Sequence, residues 1–201
     1  VAPAATGMVA TYEGVIIPFS ADYFESVLEE AVESNTHLLV FQLDTPGGLD
    51  TSMRLIIKEI NASSVPVAVF VFPNGGRAAS AGVCITMAAH VAAMSPVTNI
   101  GAAHPVAMGG GEMDKVMMAK VENDAVAYIK SIAEKHGRNA KWAEDAVRKS
   151  VSVTEKEALE LGVIDFVAAD LYELLAAIDG REVETATGKV VLETKGAHVQ
   201  E

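Results

Sequence analysis

The chain has a single cysteine, Cys84, among its 201 residues, so no disulfide can close within it and its redox compartment stays open. Basic residues are scarce as well. Fifteen Lys and Arg stand against 27 Asp and Glu, and the formal net charge of −12 argues against nucleic acid and anionic membrane surfaces as electrostatic partners. No apolar run reaches the roughly 18 to 20 residues that span a bilayer. His37, His90, His136 and His198 are scattered, with no His-x-x-x-His or Cys-x-x-Cys spacing, which gives no basis for a metal site. Gly75-Gly76 does not continue into Gly-Lys-Ser/Thr, and no Gly-x-Gly-x-x-Gly follows a strand, so no nucleotide cofactor is expected. There is no internal repeat and no linker. With 50% hydrophobic residues, the remaining expectation is one globular domain over residues 1–201 with a full core.

What is present is an alternation of strand and helix patterns. Strands are expected at residues 7–12, 38–43, 66–72, 92–95 and 162–167. Helices are expected at 21–33 behind Ser20 as N-cap, at 50–60, 116–136, 140–150, 154–161 and 170–178. Thr154-Glu155-Lys156-Glu157 reads as a capping box, and residues 182–185 with 189–193 around Thr187-Gly188 read as a hairpin. Strands alternating with helices call for a parallel sheet with right-handed crossovers, an α/β fold.

Two turns follow apolar strands and carry the chemistry. After residues 38–43 comes Asp44-Thr45-Pro46-Gly47-Gly48, where glycine amides can approach a carbonyl oxygen that becomes negative during acyl transfer. After residues 66–72 comes Asn74-Gly75-Gly76-Arg77-Ala78-Ala79-Ser80-Ala81-Gly82, with Ser80 opening a small-residue helix whose N-terminus favours an oxyanion. Ser80 is thus a candidate nucleophile; a plain N-cap serine is the alternative on these residues alone.

These turns, with Ile100-Gly101-Ala102, Ala127-Tyr128-Ile129-Lys130-Ser131, Gly137-Arg138-Asn139-Ala140, Glu157-Ala158-Leu159 and Gly162-Val163-Ile164-Asp165, resemble the Clp-protease/crotonase superfamily. More narrowly they resemble the serine-protease domain of NfeD-type membrane proteins, nearly end to end. The resemblance implies a single Clp/crotonase-like domain with Ser80 as nucleophile, Lys130 as general base, and an oxyanion hole formed by Gly47 or Gly48 with the amide of Ala81. It also implies cleavage of apolar segments in stomatin-like proteins, self-association as a homodimer or higher oligomer, and an extracytoplasmic position. Membrane attachment would come through segments outside this sequence. Val1-Ala2-Pro3-Ala4-Ala5-Thr6 reads as an N-terminus trimmed after a signal peptide.

Lys130 lies beside the apolar stripe Met118, Val121, Ala125, Ile129 and Ile132, where Val126, Ala127 and Ala133 would desolvate its amine and Glu134 would hold it protonated. His104 is a rival base, because imidazole accepts a proton near neutral pH without a large shift and the Ser80–His104 spacing is similar to that of serine and histidine in Clp proteases. His90 is expected to end the Ser80 helix at its negative pole, and Cys84 to be a small buried hydrophobe. Residues 105–113, with three glycines and two methionines, read as a loop flanking the site. Three function classes stay open: a serine peptidase, a crotonase-like acyl-thioester enzyme that needs no nucleophilic Ser80, and a non-catalytic membrane-assembly module.

Overall fold

Short apolar runs between turns form the strands of a six-stranded, wholly parallel sheet in a computed structural model that describes residues 5–106 and 114–201. The residues 107–113 of the glycine- and methionine-bearing loop, and residues 1–4, lie outside that description. In chain order the elements begin with β1 (Thr6–Glu13), α1 (Pro18–Glu33), β2 (Leu38–Asp44), α2 (Asp50–Ala62) and β3 (Val67–Val71). The next are β4 (Arg77–Ala79), α3 (Ala81–Ala88), β5 (Val91–Met94), β6 (Asn99–Gly101), α4 (Lys115–Lys135) and α5 (Ala140–Arg148). The chain closes with β7 (Ser152–Thr154), α6 (Glu155–Glu160), β8 (Phe166–Val167), α7 (Leu171–Ile178), β9 (Glu182–Thr185), β10 (Gly188–Val191) and β11 (His198–Gln200). The main sheet runs β11-β1-β2-β3-β5-β8.

Both faces of this sheet are buried at its centre, so β3 and β5 are apolar at every position and not at alternate ones. Leu39, Phe41, Leu43, Val67, Val69 and Val71 point into the larger core, whose other side is built by α1 to α5. Leu38, Val40, Ala68 and Phe70 point the other way, against Leu174, Leu175 and Ile178 of α7 and Val183 of the β9–β10 hairpin. The expected hairpin and the Thr154–Glu157 capping box are both formed.

Four features depart from the sequence reading, the first being the unexpected edge strand β11, which pairs in parallel with β1. Helix α1 starts at Pro18, whose fixed φ suits the first helical position, and Ser20 sits three residues beyond the cap Ile17, with its hydroxyl accepting from the Ile17 N–H at 3.0 Å. The strand expected over 162–167 shrinks to β8. Gly162, at φ +70°, turns the end of α6, and Val163 N–H donates back to Ala158 O at 2.8 Å, so residues 162 and 163 cap a helix. A second sheet, β4-β6-β7, was not expected at all, because its strands have three residues each and no legible period. It carries the chain into Ser80.

Candidate active site

Beyond the carboxyl ends of β2 and β3, the two glycine turns are stitched together by backbone hydrogen bonds. Thr45 N–H donates to Arg77 O at 2.8 Å, and Ala79 N–H donates to Thr45 O at 3.1 Å. Asp44 Oδ1 adds a third tie by accepting from Arg77 N–H at 3.0 Å. Ser80 then leaves β4 with φ 53° and ψ −115°, a backbone region that L-residues rarely occupy and that costs about 1–3 kcal/mol. Its N–H donates to Ala102 O at 2.8 Å and its carbonyl accepts from Val83 N–H at 3.0 Å, so the surrounding chain holds the strained turn. Such strain in a strand–turn–helix junction is where exposed nucleophiles are presented.

The structure separates the two oxyanion candidates of the first turn. Gly47 N–H donates to its own turn, to Thr45 Oγ1 at 3.0 Å. A Cβ on Gly47 would stand 2.5 Å from the Ser80 Cβ, and its φ is +109°; this position needs glycine so that Ser80 can pack over it. Gly48 bridges Ile16 in parallel fashion, with Ile16 N–H bonding Gly47 O at 2.8 Å and Leu49 N–H bonding Ile16 O at 2.8 Å. That pattern turns the Gly48 N–H away from Ile16, on the side where Gly48 lines a cavity. The Ala81 N–H opens α3, where the first amides have no helical partner. Gly48 and Ala81 therefore each present an amide that has no acceptor among the described residues, one from either turn.

That cavity, about 470 Å³, has Ser80 in its wall together with Leu49, Met53, Cys84, Val121 and Val147. The lysine it contains is Lys120, not Lys130. Lys120, Asp124 and Tyr128 follow one another at i, i+4 and i+8 along α4 and share the face that borders the cavity. Lys130 lies about 15 Å further along the helix axis. Its Nζ pairs with Glu144 Oε2 of α5 at 3.2 Å, and Glu144 also takes Arg148 at 3.0 Å. Hydrogen bonds from Arg148 and then Lys130 hold the Glu144 carboxyl below the usual range, so this pair is a strut between α4 and α5. Glu134, the expected partner, is exposed and is not the group that Lys130 meets.

His104 is also turned from the cavity: its Nδ1 sits 2.9 Å from Val147 O, and its neighbours Ala103 and Pro105 line the wall in its place. Cys84 is buried one turn below Ser80, and burial, reinforced by Asp50, pushes its thiol up to about 12. It stays a neutral hydrophobe. His90 follows the end of α3 but carries no charge there, since its Nδ1 accepts from Val67 N–H at 3.0 Å and burial, with Lys135 and Arg138, lowers it to about 4. The α3 carbonyls are capped instead by Arg138, which donates to Met87 O at 2.6 Å and Ala89 O at 2.9 Å.

Sequence reading gave Thr45 and Ala102 no role of their own within their motifs and did not single out Lys120. For Lys120 a signal existed: the polar residues Lys120, Asp124 and Tyr128 recur at helical spacing beside Val121 and Ala125, as a mixed face does when it borders a cavity.

Comparison with known proteins follows the same lines. The model of the NfeD1b N-terminal domain family matches residues 18–187. Membrane-bound protease PH1510 of Pyrococcus horikoshii is 39% identical over 178 residues, which cover 88% of this chain and 40% of that protein. Membrane protein NfeD1b of Bacillus subtilis is 29% identical over 123 residues, covering 61% of this chain and 26% of the relative. This chain thus spans less than half the length of either. Among solved structures, the 1510-N membrane-bound stomatin-specific protease superposes with a TM-score of 0.91 as a lysine-to-alanine mutant in complex with a substrate peptide. Its serine-to-alanine mutant gives 0.92. Both are 36% identical to this chain and cover 98% of it, against 91% and 97% of the respective relatives. The substituted serine and lysine lie 41 residues apart in that protein. Ser80 and Lys120 are 40 apart here, and Ser80 and Lys130 are 50 apart. The architecture is the Clp-type parallel α/β fold expected from the sequence.

Proposed function

The chain belongs to the NfeD1b N-terminal domain family, and from that membership and the geometry around Ser80 we propose that it is a serine endopeptidase with Lys120 as general base. The observation that carries this reading is the meeting, in one cavity, of a serine on a strained turn, a lysine and two amides without acceptors. In the proposed reaction Ser80 Oγ attacks the substrate carbonyl carbon while Lys120 Nζ takes the hydroxyl proton. The Gly48 and Ala81 amides hold the oxyanion, each donor contributing roughly 3 to 4 kcal/mol to the barrier reduction. The intermediate collapses as Lys120 returns the proton to the leaving amine, and water then releases the acyl group by the same route in reverse.

A lysine amine stays protonated in water to about pH 10.4, so it serves as base only where its surroundings favour the neutral form. Lys120 is exposed at the cavity mouth, and an apolar peptide lying over Leu49, Met53 and Val121 would displace the water around it. The apolar lining suits hydrophobic peptide segments, such as those of stomatin-like proteins, the class named for the structural relative. The base assigned to Lys130 by resemblance moves to Lys120 in this reading, and His104 is set aside. An extracytoplasmic position, attachment to a membrane through further segments, and self-association complete the proposal. Within the described residues no helix is long and apolar enough to cross a membrane.

The test is mass-spectrometric cleavage of an apolar peptide library by the wild type and by Ser80→Ala, Lys120→Ala, Lys130→Ala and His104→Ala. Loss confined to the serine and Lys120 variants supports the dyad. Loss with Lys130→Ala but not with Lys120→Ala returns the base to Lys130. Equal behaviour of all five chains removes the peptidase reading in favour of an assembly module.

A further inference from the structure

The cavity wall holds two carboxylates, Asp50 and Asp124, in addition to Ser80 and Lys120. Both face one guanidinium. Arg54 Nε donates to Asp50 Oδ2 at 2.8 Å, and Arg54 Nη2 donates to Asp124 Oδ2 at 2.6 Å. The same guanidinium lies 4.0 Å above the centroid of the Tyr128 ring. Asp50 and Arg54 are one turn apart on α2, and Asp124 and Tyr128 one turn apart on α4, so a single side chain fastens the two helices across the cavity. A bidentate arginine with a stacked ring is the geometry that lysine cannot reproduce.

Asp124 is also one turn beyond Lys120 on the same face, the separation at which a carboxylate and an ammonium pair on a helix. A lysine paired in this way is held in its charged form and cannot accept a proton. Resting on the peptidase reading above, we infer that Arg54 is a positioning residue for Lys120: it occupies the Asp124 and Asp50 carboxylates and fixes the face of α4 that carries the amine. Among the described residues, the charged and titratable groups around the cavity are Asp50 and Arg54 from α2, Cys84 from α3, and Lys120, Asp124 and Tyr128 from α4. Burial keeps Cys84 and Tyr128 neutral, and from α5 Glu144 and Arg148 are engaged with Lys130 and Glu122. Arg54 is thus the cation that balances the acidic side of this site.

The test uses the chain with Arg54→Gln, Arg54→Lys and the double change Arg54→Gln with Asp124→Asn. Cleavage of an apolar peptide is followed as kcat/KM against pH. In Arg54→Gln the rising limb should move upward by about one pH unit, giving a roughly tenfold loss at neutral pH that is regained at alkaline pH. Asp124→Asn in the same chain should bring the limb back towards the wild-type position, and Arg54→Lys should lie between. A uniform loss at every pH, or an unmoved limb, overturns the inference and leaves Arg54 a structural tie. NMR titration of the 13C-labelled Lys120 side chain in wild type and Arg54→Gln reads the same displacement without catalysis. Absence of Ser80-dependent cleavage in the wild type would therefore sink the peptidase reading, while the titration still decides whether Arg54 governs the Lys120 proton.

Discussion

Two of the cavities among the described residues are nearly equal in size, about 470 and 450 Å³, and their walls are built on opposite principles. The one beside Ser80 is mostly apolar and contains a positive-φ serine, two amides without acceptors among the described residues, and Lys120. The other is lined by His90, Lys135, His136, Arg181 and the β9 strand, and its polar groups are mostly engaged. His90 Nδ1 accepts from Val67, Lys135 donates to Asn61 Oδ1 at 2.9 Å, and Arg181 pairs with Asp165 Oδ1 at 3.2 Å. Volume therefore does not tell the two apart. Strain and unsatisfied donors do, and they single out the Ser80 cavity as the candidate site, because a fold keeps them only where something else compensates.

The largest effects should come from breaking the first cavity's chemistry. Ser80→Ala and Lys120→Ala should each lower kcat by about 10³-fold or more, measured on an apolar peptide, while Lys130→Ala stays within a few-fold of wild type. An equal loss in both lysine variants would erase the distinction between the two ends of α4.

Next come the buried supports of the second cavity. Arg138 is almost fully buried and donates to Asp165 Oδ2 at 2.6 Å while capping α3. Asp165→Asn should cost about 3–5 kcal/mol in denaturant unfolding, because it leaves the buried Arg138 charge without a carboxylate, and Arg138→Met should cost less, because Arg181 stays paired with Asp165. Gly47→Ala should follow, costing about 1–3 kcal/mol through its positive φ and displacing Ser80, so that peptide cleavage falls more than stability.

At neutral pH the smallest effect is that of two histidines, which act only as a pH dependence. Burial, with nearby cations, lowers His90 to about 4 and His136 to about 3, so both are neutral when folded and titrate near 6.5 when unfolded. The unfolded chain then binds more protons below that pH. Stability is complete above about pH 6.5 and should decline by on the order of a few kcal/mol as pH falls towards 3 to 4. Thermal melts of His90→Gln with His136→Gln should show a flatter acid limb; an unchanged slope would mean that carboxylates alone set it.

Much of this protein was determined by the sequence itself. The succession of β1, β2, β3 and β5 with the helices between them follows from local pattern, namely short apolar runs, amphipathic helices and caps such as Thr154–Glu157, whereas the edge strand β11 has no such pattern. The two glycine turns and Ser80 were legible for the same reason, since turn chemistry is local. Tertiary structure alone decided the short β4-β6-β7 sheet, whose three-residue strands exist only through partners far along the chain. It also decided which glycine amide stays unpaired, and which of two lysines on one helix meets the cavity. Lys120 and Lys130 have the same chemistry and similar neighbours in sequence. What separates them is the packing of α4 against α3 and α5, which sets Lys130 against Glu144 and leaves Lys120 in the wall of the cavity that also holds Ser80.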